Sequence, residues 1–217
     1  MKTKIFNLFT LITLITFTSC GDKAKEAETK KAAEVAVSDS NYIVSTDKST
    51  IEWKGFKPTG THYGTIDIKA GKLSINNGVI EAGNFIIDMN SIVVNDIPVE
   101  EEGNAKLTNH LKSDDFFNTE AHPGAVFKIT GIETTNGTTI LSGNLTIKET
   151  TNNVSFPITT TYNENDKTMT LTSETFTIDR SKWNVKYGSK SFFDDLGDKF
   201  IKNDIELKIA INASIIK

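Results

Sequence analysis

From Tyr42 onward, apolar and polar residues alternate with period two. The C-terminal stretch is the longest case: Ile201, Ile205, Leu207, Ile209, Ile211, Ala213 and Ile215 share one face, broken only by Asn203, while Lys202, Asp204, Glu206, Lys208, Asn212 and Ser214 share the other. A helix would scatter these apolar residues around its circumference, so the pattern predicts a strand. At about 3.3 Å per residue it spans on the order of 50 Å, roughly three ordinary strand lengths. A strand that long with one apolar face has to curve around a core, as barrel strands do. We expect residues 200–215 to form one curved strand paired at both edges, with Ile205, Leu207, Ile209 and Ile211 facing inward. Shorter alternations precede it: Ile66/Ile68 and Leu73/Ile75 around Gly71, Phe85/Ile87/Met89, Phe127/Ile129, Leu141/Leu145/Ile147, Val154/Phe156/Ile158, Met169/Leu171 and Phe176/Ile178. Asn77-Gly78, Asn136-Gly137 and Glu164-Asn165-Asp166 supply turn signals between them.

One stretch departs from this pattern. Residues 99–122 carry helix formers, with Leu107 and Leu111 four apart and Ser113-Asp114-Asp115 suited to cap a second short turn. Hairpins in succession, with only this excursion among them, predict an all-β antiparallel barrel of about eight strands, covered at one end by a short helical segment. Composition agrees. The chain of 217 residues holds 29 Thr and 25 Ile against 11 Leu, a bias toward pleated sheet.

The first residues are not part of that barrel. Lys2 and Lys4 precede an apolar run with interspersed Thr that ends in Phe17-Thr18-Ser19-Cys20, the pattern of an export signal, too short for a spanning helix. The one cysteine of the chain falls directly after it, and the tetrad resembles a bacterial lipobox with Phe17 in the usual Leu position. That resemblance implies a lipoprotein signal peptide over 1–19 and acyl chains on Cys20, which would fasten the chain to a membrane of the cell envelope with the domain facing the periplasm. Residues 20–41, alanine-rich and of mixed charge with no aromatic side chain, read as a flexible tether, and 42–217 as the folded domain. Without the leader, 22 basic residues stand against 28 acidic ones, a net charge of −6, which argues against nucleic acid as a partner.

Catalytic and metal chemistry are not nominated. His62, His110 and His122 share no ligand spacing. Gly55 to Gly60 has the spacing of a phosphate loop, but Thr61-His62 follows in place of Lys-Ser/Thr. No G-x-S-x-G elbow occurs, and the acidic clusters at Glu100–Glu102, Asp114-Asp115 and Asp194-Asp195 read as solvated turns. The expectation is a protein that is no enzyme and needs no metal or cofactor.

Aromatic weight stands out instead. A sheet closed by about eight strands has just enough interior for one thin ligand. Trp53, Phe85, Ile87, Phe116, Phe127, Phe176, Trp183 and Tyr187 are the candidates to line it, with His110, Lys112 and Arg180 as polar groups at the mouth. Arg180 either pairs with Asp179 to fix a barrel corner or offers its fork to an anionic headgroup, and His110 and Lys112 either cap the helical excursion or meet a headgroup.

The segment from His110 to Phe127, HLKSDDFFNTEAHPGAVF, resembles the signature H-L-K-S-x-D-F-F-x-x-x-x-x-P-x-x-x-F of the YceI-like family. Leu145–Lys148 with Val154–Pro157 is similar to a second motif, although Glu149 and Asn152 stand where the family usually has Gly and Lys. Phe176-Thr-Ile-Asp-Arg180-Ser-Lys-Trp183 through Ser189 resembles a third, and Asp204-Ile-Glu-Leu-Lys-Ile the last strand. The resemblance implies a lipocalin-like antiparallel barrel that holds a polyisoprenoid, an isoprenoid quinone or another long-chain amphiphile in its lumen, and export to the periplasm. The expected partners are therefore an isoprenoid or fatty-chain lipid and the membrane through Cys20, and a homodimer is compatible with both. The alternative is a non-catalytic interaction module of the envelope whose barrel is filled by its own side chains; a void in the lumen separates the two.

Overall fold

The computed structural model describes residues 24–216. Its strands are β1 (Lys25–Glu26), β2 (Glu28–Lys31), β3 (Tyr42–Val44), β4 (Thr50–Lys57), β5 (Gly60–Asn76), β6 (Val79–Asp88), β7 (Val93–Val94), β8 (Gly124–Thr135), β9 (Thr138–Ile147), β10 (Thr150–Asn163), β11 (Thr168–Ser173), β12 (Phe176–Asp179) and β13 (Asp204–Ile215), with one α-helix, α1 (Glu102–Lys112). The signal-peptide expectation for 1–19 and the acylation expectation for Cys20 lie outside the described residues.

Eight staves close into a ring. β5, β6, β8, β9 and β10 pair antiparallel in that order. The next stave is β11 continued by β12, both paired to β13. β3 and β4 together form the last stave, each pairing with β13 on one side and β5 on the other. The expected antiparallel barrel is therefore the observed one. Turn chemistry explains its local connectivity: Asn77 and Gly78 (φ 49° and 79°) and Asn136 and Gly137 (φ 52° and 78°) are paired left-handed residues, the two-residue turn whose twist matches the strands it joins. Register shifts between Ile68 and Ala70 and between Ser74 and Ile75 bend the 17-residue β5 across two neighbours.

β13 begins at Asp204 instead of near Phe200. The backbone of Ile201 to Asn203 bonds elsewhere: Ile201 N–H to Gly188 O, Lys202 N–H to Phe56 O, and Asn203 O accepts from Arg180 N–H. From there the expected register holds, with β11 and β12 on one edge and β3 and β4 on the other.

One end of the barrel is solid. Leu73, Ile129, Met169 and Leu171 are fully buried there, and Tyr42 meets Tyr162 edge-on with the two hydroxyls 3.1 Å apart. The other end is capped by α1. The N-cap position of the helix, Glu101, makes no side-chain cap bond, while Ser113 closes the helix by bonding back to Asn109 O and His110 O and also begins the expected turn, its carbonyl accepting from Phe116 N–H.

The tether expectation for 20–41 needs correcting over the part described. β1 runs parallel to β12, β2 antiparallel to β10, and the chain then crosses the outside of β9 and β8, where Ala33 bonds Asn144 and Ala36 N–H bonds Ile129 O. Pairing of this kind uses backbone groups, so a segment with hardly any apolar side chains can still be held.

Candidate functional site

Between the solid end and α1, the inner faces of the staves enclose a cavity of about 530 Å³. Its walls come from the inward parity of the strands: Ile51 and Trp53 on β4, Ile205, Leu207 and Ile209 on β13, Val154 and Phe156 on β10, Phe176 and Ile178 on β12, and Phe127 on β8. Leu107 and Leu111 of α1 and Phe116 and Phe117 after it close the top. Two glycines make room for the rings. Gly143 lies so close to Phe127 that a Cβ there would sit 2.1 Å from the ring, and Gly64, opposite Trp53, would place one 1.9 Å from Val93 O. The Trp53 indole N–H is buried and has no hydrogen-bond partner among the described residues.

The mouth lies between the β4–β5 hairpin, α1 and the segment 180–203. Lys57, His62, His110, Tyr187, Lys199 and Lys202 stand around it. His62 Nδ1 is 2.8 Å from Asp96 Oδ2. Burial pushes the Asp96 carboxyl up, but the bonds it accepts from Tyr63 N–H and His62 outweigh that and hold it below its ordinary value. His110 sits edge-on to Phe116 and Tyr187, at ring distances of 5.1 and 4.5 Å, and its Nε2 is 3.3 Å from Asp115 Oδ2.

Arg180 organises this rim. Its guanidinium donates to four backbone carbonyls, those of Lys202, Val185, Tyr187 and Ile201, and lies 5.6 Å from the centre of the Phe116 ring. The expected pair with Asp179 is not formed: Asp179 instead caps the turn Arg180–Trp183 by accepting from Ser181 N–H and Oγ–H. Burial lowers the arginine to about 10, against a partial opposite effect of Asp179, so the group remains cationic at neutral pH. With its donors committed to carbonyls, Arg180 is a clasp for the mouth segment and faces the cavity as a positive charge.

Of the sequence candidates, Trp53, Ile87, Phe116, Phe127, Phe176, Tyr187, His110 and Arg180 border the cavity. Three stand elsewhere. Phe85 is core, 6.3 Å from Phe127 on the side away from the void. Trp183 is fully buried in the core cluster with its indole donating to Leu145 O, and does not border the cavity. Lys112 ends α1 away from the mouth, its carbonyl accepting from Thr119 N–H. The β13 residues and Phe156, legible as inward by alternation, and Leu107 and Leu111, legible as one helix face, complete the wall. Glu149, the departure from the second motif, sits in an outer polar recess with Lys148 and Lys186 and does not touch the lumen. Among the described residues no cluster of His, Cys, Asp or Glu is placed to hold a metal ion.

A model of the YceI-like domain matches residues 42–213. The chain belongs to the YceI-like family. No curated protein matches the chain by sequence. Among solved structures, BcnA of Burkholderia cenocepacia is similar at a TM-score of 0.61 and 19% identity, covering 78% of this chain and 98% of its own. A polyisoprenoid binding domain from Saccharophagus degradans, implicated in plant cell wall breakdown, is similar at a TM-score of 0.58 and 12% identity, covering 82% and 100%. These identities carry the fold of the YceI-like domain, and the lumen is a property of this chain's own side chains.

Proposed function

We propose that the YceI-like barrel binds a long-chain amphiphile, an isoprenoid or fatty chain, with its tail in the lumen and its polar head at the rim. The observation that carries the reading is the hollow, apolar half of the barrel, open at a mouth of mixed polar groups, lysine and histidine with Asp198 and Asp204 among them. A barrel serving only as an interaction module would gain stability by filling that volume. At roughly 30 Å³ per water-sized atom, about 530 Å³ holds on the order of 18 heavy atoms of tail, so longer chains leave their remainder outside. The neighbour described as a polyisoprenoid binding domain gives a precedent for such use of the same fold. Tail binding by area needs no precise polar match, so discrimination among tails is loose and the head is read at the mouth. The absence of a catalytic constellation in the sequence supports binding over catalysis.

The experiment is a titration of the protein with geranylgeraniol and with palmitic acid, following tryptophan fluorescence and thermal midpoint. Trp53 borders the lumen and Trp183 does not, so the signal is expected to vanish in Trp53→Phe while the rise in midpoint persists. If neither ligand moves the midpoint at tens of micromolar, the carrier reading fails.

The same reading includes anchorage: acylation of Cys20, with the barrel facing the periplasm. Its support is the position of the cysteine after Thr18-Ser19 at the end of the apolar leader. Cys20→Ser is expected to move the protein from the membrane to the soluble fraction, and full retention on the membrane would refute it.

A further inference from the structure

The barrel's own staves do not complete the wall of the lumen. β10 parts from the β11–β12 stave where Glu174 N–H bonds Pro157 O at 3.3 Å. From there to the rim, at Thr150 and Asp179, no β10–β12 ladder forms among the described residues. The N-terminal segment fills the gap. Lys25 lies opposite Phe176 on one lip, and Glu28 and Thr29 lie opposite Ser155 and Val154 on the other. Between them Ala27 is 4% exposed, and its N–H bonds Thr177 O at 2.8 Å. On the lumen side of this plug Phe156 and Phe176, one from each lip, stack flat at 4.2 Å and 2°.

The receiving surface is built for the segment, yet the hold is light. Asn144 accepts from Ala33 N–H at 2.9 Å and donates to Ala33 O at 2.7 Å, as a strand backbone would. Asn153 beside it donates to Asn144 and to Thr130, and both asparagines are buried on the outer face of the barrel. Across residues 25–33, however, the apolar side chains are three alanines, and of these Ala27 alone is buried. Release also breaks its short ladders to β12 and β10 and the exposed Lys182–Glu26 pair at 3.0 Å, yet with one buried apolar side chain the strand stands at the low end of local stability.

We propose that residues 25–33 are a detachable stave, and that its release opens a slot between Phe156 and Phe176 through which the tail of the amphiphile enters sideways. Above the slot the turn Arg180–Trp183 is tied to the neighbouring strands, Asn152 donating to Lys182 O and the Trp183 indole to Leu145 O, so the slot is a window below the rim: the tail threads through it end first, the polar head stays in water, and no head is dragged through the apolar lumen. This rests on the lumen-binding reading above, and the test separates the two.

In the chain expressed from residue 20 with Cys20→Ser, native-state hydrogen exchange is measured without ligand. The Ala27 amide is expected to exchange at least about tenfold faster than the amides of the β8–β9 ladder; equal protection would overturn the proposal and leave lumen binding untouched. Glu28→Cys with Ser155→Cys, an outward-facing cross-strand pair, then locks the stave by a disulfide. Uptake and release of cis-parinaric acid are expected to slow about tenfold in the oxidised protein at unchanged affinity, and to recover on reduction. Identical rates in locked and reduced protein would show that the tail travels by the mouth alone and sink the slot. Absence of parinaric acid binding in the reduced protein would sink the lumen reading and the slot's role with it, whatever the exchange rates.

Discussion

Tyr42 and Tyr162 join the solid end of the barrel through their hydroxyls, and burial, with the bond to Tyr162, raises the Tyr42 phenol from 10 to about 12. A folded value above the unfolded one means that folding favours the neutral phenol. The contribution is whole below pH 10 and is lost as pH rises from about 10 to about 12. Thermal midpoints of the wild type should therefore fall across that window, and Tyr42→Phe, while less stable at neutral pH, should show a shallower fall. Gly143 makes a different demand, because Phe127 occupies the place of a Cβ. Gly143→Ala is expected to cost about 1–3 kcal/mol by overpacking, and Phe127→Leu in the same chain to return part of it. Arg180→Lys should destabilise by about 2–4 kcal/mol, since an ammonium cannot reach four carbonyls spread over two segments. The measurement is chemical denaturation, and a loss below about 0.5 kcal/mol, the range of ordinary surface changes, would show that the mouth is held by other means.

Among the elements, β13 carries the clearest contrast of faces. Ile209 points into the lumen and Lys208 away from it. Ile209→Lys should cost about 2–4 kcal/mol through a charge set among apolar walls, and Lys208→Gln no more than about 0.5 kcal/mol. Equal losses would refute the register. That register was legible because period-two patterning survives wherever one strand face is buried, and the Asn-Gly hairpins were legible because a left-handed pair of residues admits few alternatives. The start of β13 was not, since Ile201 continues the apolar series although its backbone is committed to Gly188. β1 and β2 were missed for the opposite reason. Lys25 to Lys31 show no alternation, and a strand held by backbone bonds and one alanine leaves almost no trace in side-chain chemistry. At the site, Trp53, Phe127 and Phe176, singled out by aromatic residue type, border the cavity. Phe85 and Trp183, whose rings are equally buried, do not border it: residue type reports burial, and only the fold says which buried rings face the cavity.

At the scale of the molecule, the ring is packed solid for half its depth and hollow for the other half, and the helix that covers the hollow half presents Leu107 and Leu111 to it. Replacing both leucines by serine should leave the sheet intact by circular dichroism and weaken tail binding severalfold, because the lid contributes apolar area to the ligand and none to the strand ladders. The docked N-terminal segment also sets a distance. With Cys20 acylated, as proposed, four residues lead from the membrane to the first one on the barrel, about 14 Å of fully extended chain; counted instead to Glu34, just past the detachable stave, thirteen residues reach about 45 Å. So anchored, a barrel wearing its strap would be held close to the bilayer by that short link. An anchored barrel that shed it would swing on a leash about three times longer, so the step that parts the wall would also be the step that lets the domain travel.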